Sequence, residues 1–167
     1  MKYIYRLDKY LRSLSTAKFI LIMVFISYIV VIPVVLMGFL MNTHVGGPEF
    51  EDIPLALMIL IVVVIAPIWE TLVYQLLIIR QLKKLIFFKH RSSLTILISA
   101  LVFGAVHIYS IYYMFYAFII GLLFAYTFVI YEDKKASAFW VTMAIHGLKN
   151  GIAMLITDIE LLYQLIN

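Results

Sequence analysis

Glu70, His107, His146 and Asn150 are the residues of this 167-residue chain whose types and setting could do chemistry. Glu70 is the only carboxylate inside a long apolar segment, and His107 and His146 are the only histidines in such segments. Asn150 follows His146 by four residues, which puts both on one face of a helix. A carboxylate in low-dielectric surroundings can serve as a general base for water. Imidazole and a side-chain amide can donate hydrogen bonds to a developing oxyanion. Together these groups suit hydrolysis of an amide bond. The competing reading is zinc, with Glu70, His107, His146 and a water completing a tetrahedron. The HExxH spacing of zinc peptidases is absent and Asn is a poor zinc ligand, so a mechanism without metal or other cofactor accounts for more of the set.

These groups need elements to hold them, and the composition says which kind. Hydrophobic residues make up 65% of the chain and charged residues only 13%, where a soluble domain has roughly a quarter charged. The length fits one domain, without linker, repeat or low-complexity tract. The absence of cysteine excludes disulfides and thiolate ligands. The net charge of +4 is no sign of a nucleic-acid partner, because the basic residues cluster beside apolar runs. Such clusters face the cytosolic leaflet of a bilayer.

The expected fold is an all-α polytopic membrane protein with about five transmembrane helices. Residues 1–18 read as a basic amphipathic helix on the membrane surface, with Ile4, Leu7, Leu11 and Leu14 on one face. Residues 19–167 form a single transmembrane domain. Phe19 to Met41 is a charge-free run of 23 residues, enough to cross a core of about 30 Å. The second span runs from Pro54 to about Ile79, and Pro67 should kink it one turn before Glu70. Positions 94–131 lack Lys, Arg, Asp and Glu for 38 residues. That is too long for one crossing, so a hairpin turning near His107 to Ser110 is expected, its first arm short. Residues 136–157 make the last span, and a short mixed tail follows.

Charge fixes the orientation. The N-terminal segment and the 80–91 loop carry five Lys or Arg each and the 132–135 turn two, while the 42–53 loop carries none. The positive-inside rule therefore places the N-terminus in the cytosol and, after five spans, the C-terminus outside. At about 1.5 Å per residue, Glu70 and His146 lie about 15 Å deep, and His107 and Asn150 about 20 Å. A shared depth argues against polar residues that are each bonded locally. A charged side chain at mid-bilayer costs at least about 2.5–3.5 kcal/mol on insertion scales, so Glu70 should face the bundle interior. Gly104 before His107, and Gly147 and Gly151 around Asn150, allow close helix approach.

At these residues the chain resembles the CAAX protease and bacteriocin-processing family (CPBP, or Abi) of glutamic-type intramembrane endopeptidases, similar to the prenylated-CAAX endopeptidase. The family pattern is Glu-Glu-xxx-Arg, then Phe-xxx-His, then His-xxx-Asn or His-xxx-Asp, on successive helices. Phe103-Gly-Ala-Val-His107 and His146-Gly-Leu-Lys-Asn150 match the second and third motifs. The first matches in part: after Glu70, Thr71 replaces the second Glu and Gln75 the Arg. The similar core covers about residues 54–157. The resemblance implies that Glu70 activates water, His107 orients it or shares its proton, and His146 and Asn150 stabilise the oxyanion. Thr71, Gln75 and Phe103 would support the site, the first two as a neutral hydrogen-bonding pair in place of Glu and Arg.

The resemblance also implies a peptide or membrane-embedded protein substrate, a bacterial plasma membrane, and a role in peptide maturation or bacteriocin self-immunity. Thr71 and Gln75 are the best support for the alternative, a non-catalytic scaffold or immunity protein that keeps the fold. A small transporter relaying protons would leave Asn150 unexplained. His44 and His90 read as solvated loop residues. Lys149 is read as snorkelling to the outer interface or meeting Asp158, away from the His146–Asn150 face.

Overall fold

The computed structural model describes residues 2–43, 45–48 and 53–166. Among them the regular structure is all helical: α1 Lys2–Ser13, α2 Thr16–Leu40, α3 Leu55–Lys84, α4 Ser92–Ala105, α5 Ile111–Tyr131 and α6 Ala138–Ile166. The acidic residues of the 42–53 loop (Glu49, Glu51, Asp52) and His44 lie outside the described residues.

Among the described residues four helices are long and apolar enough to cross a membrane: α2, α3, α5 and the Ala138–Ile156 portion of α6. With 14 residues, α4 reaches about 21 Å at 1.5 Å per residue, short of a core about 30 Å thick. The fifth expected span is this short arm. Residues 106–110 then turn the chain where Ser110 caps α5, its side chain accepting from the Tyr113 N–H at 2.9 Å. The last helix runs on to Ile166, beyond the expected span, because no Gly or Pro follows Gly151 to end it. The chain is a polytopic membrane protein.

Charge and packing agree about the two ends of the bundle. At one end Lys83 meets Glu132, Lys134 lies over the rings of Phe19 and Tyr131, and Asp8 accepts from the Tyr126 hydroxyl at 2.8 Å. All three basic segments thus gather at one end. At the other end Ser110 donates to the Val45 carbonyl. The N-terminal helix does more than lie on the surface: Leu11 is buried in the core and Asp8 ties it to α5. Its exposed Tyr3, Tyr5 and Tyr10 suit an interface, where one end of an aromatic side chain is apolar and the other wet.

Pro67 does not interrupt α3. The helix instead winds with π-type geometry over Leu60–Ile65 and again over Thr71–Leu77, on either side of the Pro67–Glu70 turn. A proline has no N–H to return to the preceding turn, and the wider π winding absorbs the local mismatch. The most extensive packing is α4 on α5, made possible by glycine. A Cβ on Gly104 would come within 2.8 Å of Phe118 Cβ, and one on Gly121 within 3.1 Å of the Ala100 backbone.

Candidate active site

Glu70 leaves α3 between its two π-wound stretches, and one of its oxygens, Oε2, faces both histidines. His146 Nε2 lies 3.6 Å from it and His107 Nε2 3.8 Å. Glu70 is 21% exposed, and His107 and His146 are more buried still. Three helices thus bring these side chains to one point. Neither separation is a direct hydrogen bond, and both suit a bridging water.

Each histidine is held differently. His107 follows the last turn of the short helix α4, and its Nδ1 is 2.6 Å from the Phe103 carbonyl. That carbonyl can only accept, so Nδ1 carries a proton, and in the neutral imidazole Nε2 presents its lone pair toward Glu70. The Phe103 ring packs on His107 at 4.5 Å between centroids and on His146 at 6.2 Å. His146 is further wedged against Phe124 at 4.4 Å. Phe103 therefore acts through both imidazoles: its carbonyl sets one tautomer and its ring fills the space between them.

Asn150 has a structural partner that the sequence does not reveal. Its Nδ2 donates to the Val62 carbonyl of α3 at 3.0 Å, while its Oδ1 lies 3.4 Å from Lys149 Nζ. One amide N–H remains for other work. Close approach makes this possible: a Cβ on Gly147 would come within 2.5 Å of the Val63 carbonyl oxygen. Gly151 is less constrained, since a Cβ there would meet only the Val63 side chain at 3.6 Å.

Two sequence-based readings need correction. Thr71 and Gln75 are both fully buried, but among the described residues their polar atoms are not bonded to each other or to any other group. They lie in the second π-wound stretch, whose winding alters how positions four apart face one another. Lys149 does not point away. It is 7% exposed, and its Nζ sits 4.9 Å above the Tyr116 ring and 3.4 Å from Asn150 Oδ1. Residues three apart share a helix face, so Lys149 follows His146 inward, and an aromatic face helps hold a cation there. A signal was available. Twelve of the thirteen basic residues flank the spans, and Lys149 is the one that does not.

Among the described residues, no group of three or more His, Cys, Asp or Glu is placed to hold a metal ion. No curated protein and no solved structure matches the chain. The family described as type II CAAX prenyl endopeptidase Rce1-like does match, over residues 52–152. That stretch is well over half of the chain and takes in Glu70, His107, His146, Lys149 and Asn150. A polytopic helical bundle with Glu70, His107 and His146 drawn to one point, matched over that length, belongs to the Rce1-like CAAX protease family.

Proposed function

We propose that this protein is an intramembrane endopeptidase in which Glu70 activates water without a metal. The observation that carries the reading is the position of Glu70 Oε2, 3.6 and 3.8 Å from two imidazole nitrogens. A water bridging these atoms gives one proton to Glu70 as its oxygen attacks the substrate carbonyl carbon. The carbonyl π electrons move to oxygen, where His146 and the remaining N–H of Asn150 donate. Collapse breaks the C–N bond, and Glu70 returns the proton to the departing nitrogen. Negative charge passes from Glu70 to the oxyanion and back, and the Lys149 cation, beside the proposed oxyanion donor Asn150, favours the charge that develops on the oxyanion. His107 orients the water through its Nε2 lone pair.

The substrate in this reading is a peptide or a membrane-embedded protein, met with the basic end of the bundle in the cytosol of a bacterial plasma membrane. Peptide maturation or bacteriocin self-immunity is the biological setting it suits. The second reading, a non-catalytic scaffold or immunity protein, draws on Thr71 and Gln75 standing where the family pattern has Glu and Arg. Reconstitution in liposomes with a quenched-fluorescence prenylated CAAX peptide separates the two. The protease reading expects cleavage that depends on Glu70 and is indifferent to chelators. The scaffold reading expects none.

A further inference from the structure

Seven buried side-chain N or O atoms lack a hydrogen-bond partner among the described residues: Thr71 Oγ1, both polar atoms of Gln75, Thr127 Oγ1, Tyr131 Oη, Thr142 Oγ1 and His146 Nδ1. Buried polar groups are bonded in the great majority of cases, so each orphan needs a reason. All seven sit on the three helices that form one seam of the bundle. The six residues lie on α3, α5 and α6, which pack against one another, and each is no more than 4% exposed.

The order along the seam follows from two cross-helix contacts. Phe124 stacks on His146 at 4.4 Å, so α5 and α6 are level there. Continuing from that level toward the charged end, Thr127 and Thr142 come about 5 and 6 Å on, and Tyr131 about 10 Å on, at 1.5 Å per residue. The close approach of Gly147 to Val63 aligns α3, and from there Glu70 and Thr71 come about 10 and 12 Å on, level with Tyr131. Gln75 lies further toward the charged end, so that Thr127 and Thr142 line the stretch between the backbone levels of His146 and Glu70. At the far end Tyr131 lines an open cleft of about 230 Å³ together with Arg80, Glu132 and Ser137. Liquid water occupies about 30 Å³ per molecule, so that cleft has room for several. At the near end His146 faces Glu70.

We infer that this seam is a water path, in which the orphan hydroxyls, amide and imidazole bind a file of water from the charged end of the bundle to Glu70. It rests on the hydrolytic reading for its purpose but not for its existence. Hydrolysis consumes one water per turnover, and among apolar helices polar side chains are the groups that can carry it inward. Hydroxyls and an amide suit the task because each can donate and accept, whereas fixed charges would hold water too tightly to pass it on.

Radiolytic hydroxyl-radical labelling of the full chain in nanodiscs, in H₂¹⁸O, tests the path directly, since radicals formed from bound water oxidise the side chains beside it. Tyr131 and His146 should incorporate ¹⁸O, whereas Ile120, equally buried but among apolar neighbours, should not. Labelling no greater at Tyr131 and His146 than at Ile120 would overturn the inference. Thr142→Val and Thr127→Val give a second arm. In a hydrated seam they leave thermal stability unchanged or lower it and slow hydrolysis of the prenylated CAAX reporter severalfold at unchanged KM. In a dry seam they relieve an unsatisfied hydroxyl, so a raised melting temperature would count against the path. Labelled side chains in a protein that cleaves nothing would leave the path standing and remove the protease reading.

Discussion

The Asn150 amide donates to the Val62 carbonyl at 3.0 Å, and Pro67 makes that carbonyl available. In the π-wound stretch the Ala66 N–H returns to Ile61. The next donor in that order would run from residue 67 to Val62, and a proline has none. Asn150 supplies from α6 the hydrogen bond that α3 cannot make for itself. Removing it leaves a half-buried carbonyl unsatisfied, which costs on the order of 1 kcal/mol. Asn150→Ala should therefore lower thermal stability as well as activity. Restoring the helical donor with Pro67→Ala should recover part of the stability and none of the activity, measured by melting in detergent and by reporter cleavage. Simple additivity of the two substitutions would show that the carbonyl and amide are not partners.

Gly147 and Gly151 look equivalent in sequence and are not. A methyl on Gly147 would meet the Val63 carbonyl oxygen at 2.5 Å, while one on Gly151 finds ordinary contact. Gly147→Ala should push α6 off α3 and remove both stability and activity; Gly151→Ala should leave both near the parent level. Comparable losses from the two would refute this packing.

Much of the fold and of the site is legible in the sequence, because a bilayer allows few choices. The spans, the short arm before His107 and the convergence of Glu70 with His107 and His146 follow from charge-free run lengths and a depth count. The features that are not legible depend on backbone carbonyls and on winding. The Val62 partner of Asn150 exists because Pro67 frees a carbonyl in a π-wound stretch, and nothing in the side-chain pattern announces that winding. Lys149 is legible by its i,i+3 relation to His146. Snorkelling is the usual fate of a lysine in a span, and the Tyr116 ring that holds it inside is supplied by another helix.

Lys149→Met should lower the kcat of the reporter with KM little changed, since the proposed cation favours charge that develops during the reaction. Methionine inserts more readily into a bilayer than lysine, so the variant should fold. Lys149→Arg should retain more activity than Lys149→Met. Equal activity in both would remove the cation from the mechanism.

Docking of α1 should depend on pH. Burial pushes the Asp8 carboxyl up, but hydrogen bonds from Arg12 and Tyr126 outweigh it and hold the group below its ordinary value. A depressed folded-state value means the contribution is present above the ordinary carboxylate range and is lost as pH falls through the folded value. Spin labels on α1 and α5 of this cysteine-free chain should separate in acid. Asp8→Asn should loosen the pair already at neutral pH. Distances that ignore both changes would place the anchor elsewhere, such as in Leu11.

Glu70→Gln is the most direct measure of the central claim. Glutamine keeps the volume and can hydrogen bond, but it cannot take a proton from water. Loss of a general base costs about 10²–10⁴-fold in rate. The variant, reconstituted beside the parent and shown to be equally folded and inserted, should lose cleavage of the prenylated CAAX reporter by that order, and chelators should change neither protein. Full activity in Glu70→Gln, or activity removed by chelators and restored by zinc, would contradict a metal-free Glu70 mechanism.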